Sequence, residues 1–176
     1  MNGNNRQKIP IGKDCAYIAV FVALTIAAQL CLSFIPGVEV VTVLFVSFSF
    51  VFGIKRGMIA ATAFSLLRQF VFGFFPTVLV LYLVYYNLLT ALFGFLGKKV
   101  QSCSKNLLFL TSIACLCTVG FTMLDNLLTP LWYGYSGRVL KMYFYTSFSF
   151  MIPQTVCTAV SVGFLFLPLT KIFQKL

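Results

Sequence analysis

Six apolar stretches fill the chain almost end to end, and nearly every Lys and Arg falls in one alternate set of the gaps between them. A soluble domain built this way leaves too little polar surface facing water, so the pattern predicts helices that cross a bilayer. The expected spans run Cys15–Ile35, Glu39–Ile54, Gly57–Phe75, Thr77–Gly97, Leu107–Leu128 and Tyr143–Thr170. Crossing the hydrocarbon takes about 20 apolar residues, which most of these supply. The second is short and is expected to tilt against its partners or thin the bilayer. The sixth is long and is expected to open with a non-spanning aromatic segment, Tyr143–Phe150, before its true crossing.

Lys and Arg near span ends are retained on the cytoplasmic side. Arg6, Lys8, Lys13, Lys55, Arg56, Lys98, Lys99, Lys105, Lys171 and Lys175 share one side when six spans alternate, and they are ten of the thirteen. The other side has only Arg138 and Lys141, while Arg68 lies within a span. The predicted fold is therefore an all-α integral membrane protein, a bundle of six transmembrane helices with both termini cytoplasmic. Residues 1–13 read as a cytoplasmic tail ahead of a cap at Asp14, and 14–176 as a single transmembrane domain. Short connections at Pro36-Gly37, Lys55-Arg56 and Pro76 predict antiparallel neighbours. Thr129–Met142 is expected to form an outward loop carrying Trp132, Tyr133 and Tyr135, which either anchor the outer interface as an aromatic belt or, made mobile by Gly134 and Gly137, close as an aromatic lid.

Several function classes are disfavoured. The net charge of +10 is dispersed at span ends rather than gathered on one face, which suits orientation and anionic lipid heads better than nucleic acid. The first span is too long for a cleaved signal peptide and lacks a small-residue cleavage site, so it is expected to be retained. The six cysteines lie mostly in or beside spans, and with no His in the chain they suggest neither a metal site nor a disulfide framework. No phosphate-cradling G-x-x-x-x-G-K-[ST] loop, no H-E-x-x-H and no G-x-S-x-G occurs, so neither an energy source nor an enzyme is predicted, and no cofactor. The three acids, Asp14, Glu39 and Asp125, are too few and too near span ends for a self-sufficient coupled pump.

Recognition without energy conversion is what remains. Ala19, Ala23 and Ala27 recur every fourth residue on one face of the first span, allowing another helix to approach closely, either within the chain or from a partner. With the orientation fixed, Gln29, Glu39, Arg68, Gln69, Asp125, Asn126 and Gln154 fall in outer halves of their spans, with Asn87 near mid-span. Arg68 in lipid costs about 2.5–3.5 kcal/mol, so it is expected to face the interior, paired with Glu39, Asp125 or an anionic group of a solute. Glu39, Arg68, Gln69, Asn87, Asp125, Asn126 and Gln154, with Trp132 and Tyr133 above them, are the candidate substrate-binding set. The alternative is that they only hold helices together by hydrogen bonds.

The chain resembles the substrate-binding membrane subunits (S-components) of energy-coupling factor importers, which bring vitamins and related micronutrients into bacteria and some archaea. The resemblance rests on six helices with cytoplasmic termini, the alanine face of the first helix, Ile35-Pro36-Gly37-Val38-Glu39 entering the second, and FGIKRG from Phe52 to Gly57 closing it. It implies a high-affinity solute receptor in the cell membrane. It also implies docking through Ala19, Ala23 and Ala27 onto a transmembrane coupling protein (T-component) driven by two ATPases. No substrate signature is legible, although Arg68 and Lys141 hint that an anionic solute is tolerated. A scaffold subunit of a cell-envelope complex, or a small facilitator or channel, is the competing expectation.

Overall fold

The structure, a computed structural model, describes residues 11–34, 40–100 and 106–175. Six helices occupy them: α1 Ile11–Leu32, α2 Val41–Phe52, α3 Ile54–Phe72, α4 Pro76–Lys99, α5 Leu107–Tyr133 and α6 Gly137–Phe173. There is no strand among the described residues. Four of the helices are long and apolar enough to cross a membrane, namely α1, α4, α5 and α6. The protein is thus all-α with the character of a multi-pass membrane protein.

Contacts step in opposite directions along α3 and α4, from Gly57 against Thr90 to Thr62 against Asn87 and Arg68 over Tyr82. Those two helices are therefore antiparallel. Along α1 and α3 the contacts step together, Asp14 with Arg56 and Gln29 with Arg68, so this pair is parallel. The up-and-down course gives the bundle two ends. At the end called distal, α1, α3 and α5 finish while α2, α4 and α6 begin.

Five helices form a ring in the order α1, α3, α4, α5, α6, and α2 lies inside it against α3, α4 and α6, with α1 alongside. An edge-on contact of Phe21 with Phe173, centroids 6.1 Å apart, brings α6 back to α1. Every residue of α2 from Val41 to Phe50 is buried, as expected of a helix that is apolar all round. At 12 residues α2 is about 18 Å long, too short to cross the hydrocarbon unaided. The expected short second span is thus encased in protein. Close approach is permitted by Gly94 and Gly97 on α4. A Cβ on Gly94 would lie 2.7 Å from the Ile54 nitrogen, and one on Gly97 would overlap the Phe50 carbonyl.

Polarity is arranged for lipid. Phe70, Leu108, Leu116 and Phe164 are exposed on the outside, while Thr25, Ser49, Ser65, Thr90 and Thr118 are buried. Buried hydroxyls return their proton to the preceding turn, as Thr25 Oγ1 does to Phe21 O at 2.7 Å and Ser65 Oγ to Ala61 O at 2.8 Å. Thr118 and Thr158 also meet across α5 and α6 at 3.0 Å. Small hydroxyl residues at helix contacts are what packing in a bilayer favours.

Three boundaries differ from expectation. Lys55 and Arg56 do not link α2 to α3: Gly53 alone does so, at φ 85°, a backbone region glycine enters without strain, and both cations belong to the first turn of α3. The sixth helix begins at Gly137 rather than Tyr143, so Tyr143–Phe150 lies inside one 37-residue helix that absorbs Pro153 and Pro168. The outward loop expected over Thr129–Met142 shrinks to residues 134–136, because α5 continues to Tyr133 before Gly134, at φ 64°, ends it. The Pro130 carbonyl accepts the Gly134 and Tyr135 N–H groups, closing that end. The entry motif Ile35–Glu39, with candidate residue Glu39, lies outside the described residues.

Candidate functional site

Arg68 projects from the last turns of α3 toward the two helices that flank α3 in the ring. Its Nε donates to Gln29 Oε1 on α1 at 3.1 Å, and its guanidinium carbon sits 4.3 Å over the Tyr82 ring of α4. Phe72, one turn along α3, approaches at 4.7 Å. Touching α1 and α4 together puts Arg68 on the concave side of α3. Gln29 Nε2 completes the node by donating to the Tyr82 hydroxyl at 3.3 Å. No ion pair to Arg68 occurs among the described residues, where the single salt bridge joins Arg56 to Asp14.

Asp125 is not the partner of Arg68, contrary to one expectation. Its carboxylate accepts the Thr129 hydroxyl at 2.7 Å and the Tyr143 hydroxyl at 2.6 Å, which tie α5 to α6. Geometry explains the difference, since α5 is separated from α3 by α4 in the ring. Beside Asp125 lies a cavity of about 230 Å³ between α5 and α6, lined by Phe121, Thr122, Tyr143, Ser147, Phe150 and Gln154 among others. The Phe121 ring stands 5.8 Å from Tyr82 and 4.8 Å from Tyr85. An aromatic wall thus runs through the interior from the Arg68 cation to the Asp125 anion.

The distal interior also contains polar atoms with no hydrogen-bond partner. Thr42 Oγ1, Gln69 Nε2, Thr77 Oγ1, and both Asn126 Nδ2 and Oδ1 are buried and unpartnered. They come from four helices: the first turns of α2 and α4, and the last turns of α3 and the distal part of α5. Only the Gln69 carbonyl is used, accepting the Phe75 N–H at 3.2 Å. Each orphaned buried group costs about 1–3 kcal/mol, so several at one level require an explanation.

The remaining candidates fall elsewhere. Asn87 exchanges hydrogen bonds with Thr62 and donates to Leu83 O at 2.8 Å, a clamp between α3 and α4 nearer mid-bundle. Trp132 and Tyr133 are exposed on the last turn of α5, where Tyr133 stacks on Tyr135 with centroids 5.8 Å apart. They belong to a helix end rather than a mobile lid. Lys141 is exposed on α6. On α1, Ala19, Ala23 and Ala27 are exposed alongside Val20 and Leu24, so the small-residue face is turned away from the chain's own helices. Sequence reading missed Thr42, Thr77, Tyr82, Phe121 and Tyr143. Their side chains are ordinary for a span, and only the ring order of the helices shows that they face inward.

No protein-family model, no curated protein and no solved structure matches the chain.

Proposed function

We propose that this chain is the solute-binding membrane subunit of an importer of the energy-coupling factor type, taking a vitamin-like micronutrient from outside the cell. The observation that carries the reading is the set of buried, unpartnered polar atoms on α2, α3, α4 and α5 at one end of the bundle. A scaffold that used polar side chains only to hold helices together would pair them with one another. A receptor leaves them for its ligand.

In this reading all six helices lie in the cell membrane with both termini cytoplasmic, because the basic residues gather at the proximal end, and the distal end faces outward. The exposed alanine face of α1 supports docking of a transmembrane coupling protein driven by two ATPases, since the chain has no nucleotide motif of its own. It is not an enzyme: its task is capture and release.

The test is to purify the full chain gently, denature it and identify released small molecules by mass spectrometry, with a vitamin binding screen in parallel. A stoichiometric, tightly held solute is expected. If both searches return nothing, the scaffold reading takes its place.

A further inference from the structure

We infer that Arg68 is a preorganised oxyanion receptor, and that the solute bound at the distal end has a carboxylate or phosphate seated on its guanidinium edge. This rests on the receptor reading above and specifies the chemistry of its ligand.

The guanidinium is fixed on three sides. Tyr82 covers it at 4.3 Å, Phe72 approaches at 4.7 Å, and Gln29 Oε1 takes the Nε proton at 3.1 Å. Gln29 is itself held by donating to the Tyr82 hydroxyl at 3.3 Å, so the cradle links α1, α3 and α4. What is left over is the edge formed by Nη1 and Nη2, which finds neither a hydrogen-bond acceptor nor a carboxylate among the described residues. Two parallel N–H donors on a planar fork match the two oxygens of a carboxylate or phosphate. A cation used only to stitch helices would take its counter-charge from the bundle. Of the two acids among the described residues, Asp125 is occupied by Thr129 and Tyr143 and Asp14 by Arg56; Glu39, the third acid of the chain, lies outside them.

A second observation points the same way. The neighbouring Gln69 is 6% exposed, and its Nε2 donor has no partner although its Oε1 is used. Adjacent residues of α3 therefore hold unused donors at the same level. Unused donors on adjacent residues suit the oxygens of an anion. The aromatic wall of Tyr82, Tyr85 and Phe121 gives an apolar or ring-bearing body a surface to lie on.

The experiment uses the full chain in phosphatidylcholine nanodiscs, dialysed extensively, with para-fluorobenzoate as probe and para-fluorobenzamide as its neutral isostere. Fluorine NMR line broadening reads binding. The wild type is expected to broaden the benzoate and not the benzamide, and R68Q to weaken benzoate binding by about ten- to hundredfold. Q29E sets an internal carboxylate against the guanidinium with almost no change of size and should abolish the benzoate signal in a protein of unchanged helix content. Equal broadening of both probes, or benzoate binding that survives R68Q and Q29E, overturns the assignment. Loss of the benzoate signal when phosphatidylglycerol is added would identify a lipid headgroup as the occupant and overturn it equally. A tightly held neutral solute indifferent to R68Q would sink this inference while leaving the receptor reading intact. Arg68-dependent benzoate binding in a chain that holds no solute would do the reverse.

Discussion

The Tyr143 hydroxyl donates to Asp125 Oδ2 at 2.6 Å, joining α5 and α6 just beneath the three-residue link between them. Tyr143→Phe keeps the ring and removes the bond, leaving Thr129 as the remaining partner that Asp125 has among these contacts. A hydrogen bond to a carboxylate contributes about 1.5–3 kcal/mol. Thermal unfolding in nanodiscs should show a lowered midpoint for Y143F. An unchanged midpoint would mean that water replaces the phenol without loss.

Asn126 should trade stability for function. It is 4% exposed with both polar ends of its amide unpartnered, so Asn126→Leu removes two orphaned groups while keeping the branched outline, with two somewhat bulkier methyl groups in their place. The variant is expected to be more stable by about 1–3 kcal/mol and to bind solute less well. Lower stability would reveal a hydrogen bond made through water, and unchanged affinity would remove Asn126 from the site.

Glycines of α4 and of α5 and α6 should respond in opposite directions. Gly94→Ala drives a methyl group against the Ile54 backbone and should destabilise by about 1–3 kcal/mol. Gly120→Ala and Gly163→Ala meet nothing within 4 Å and should stabilise by up to about 1 kcal/mol through helix propensity. Matched unfolding curves for the three variants check both halves of the prediction.

On the proposed importer reading, Ala23→Trp should leave folding and solute binding intact, because Ala23 is exposed, and should block co-purification of a coupling protein. Ala61→Trp is the control, since Ala61 is fully buried and its enlargement should prevent folding. An Ala23→Trp protein that still recovers its coupling partner would move the docking face elsewhere.

At the proximal end, Arg56 donates from both Nε and Nη2 to Asp14 Oδ2, at 3.1 and 2.9 Å. Lys cannot reproduce a two-donor fork, so Arg56→Lys should recover only part of the coupling measured by a double-mutant cycle. Both side chains are 25% exposed, so the coupling should be about 1 kcal/mol or less and should shrink as salt is raised.

Much of the architecture was legible because apolarity reports the solvent, and lipid marks its segments strongly. Helix ends were not, because a helix continues past the hydrocarbon wherever its backbone bonds can. Thr129–Tyr133 has a loop's composition, yet Pro130 is buried within α5 and the turn waits for Gly134. Arg68 meets Gln29 and Tyr82, whereas the partners expected for it were Glu39, Asp125 or a solute. Opposite charge alone singled out those acids, whereas the ring sets α3 beside α1 and brings the uncharged Gln29 to it. The orphaned atoms of Thr42 and Thr77 left no trace in the sequence, since a threonine that is satisfied and one that is not look alike there.

The enclosure of α2 bears on how the protein is made. A 12-residue helix buried from Val41 to Phe50 is too short to cross the bilayer by its own hydrophobicity. In the six-span reading it is carried in as one arm of the hairpin that Gly53 folds back onto α3, and held until α4 and α6 arrive to surround it. On that reading the most apolar of the described helices is the one whose insertion depends most on its neighbours. Chains released before α6 is synthesised should expose it to quality-control proteases.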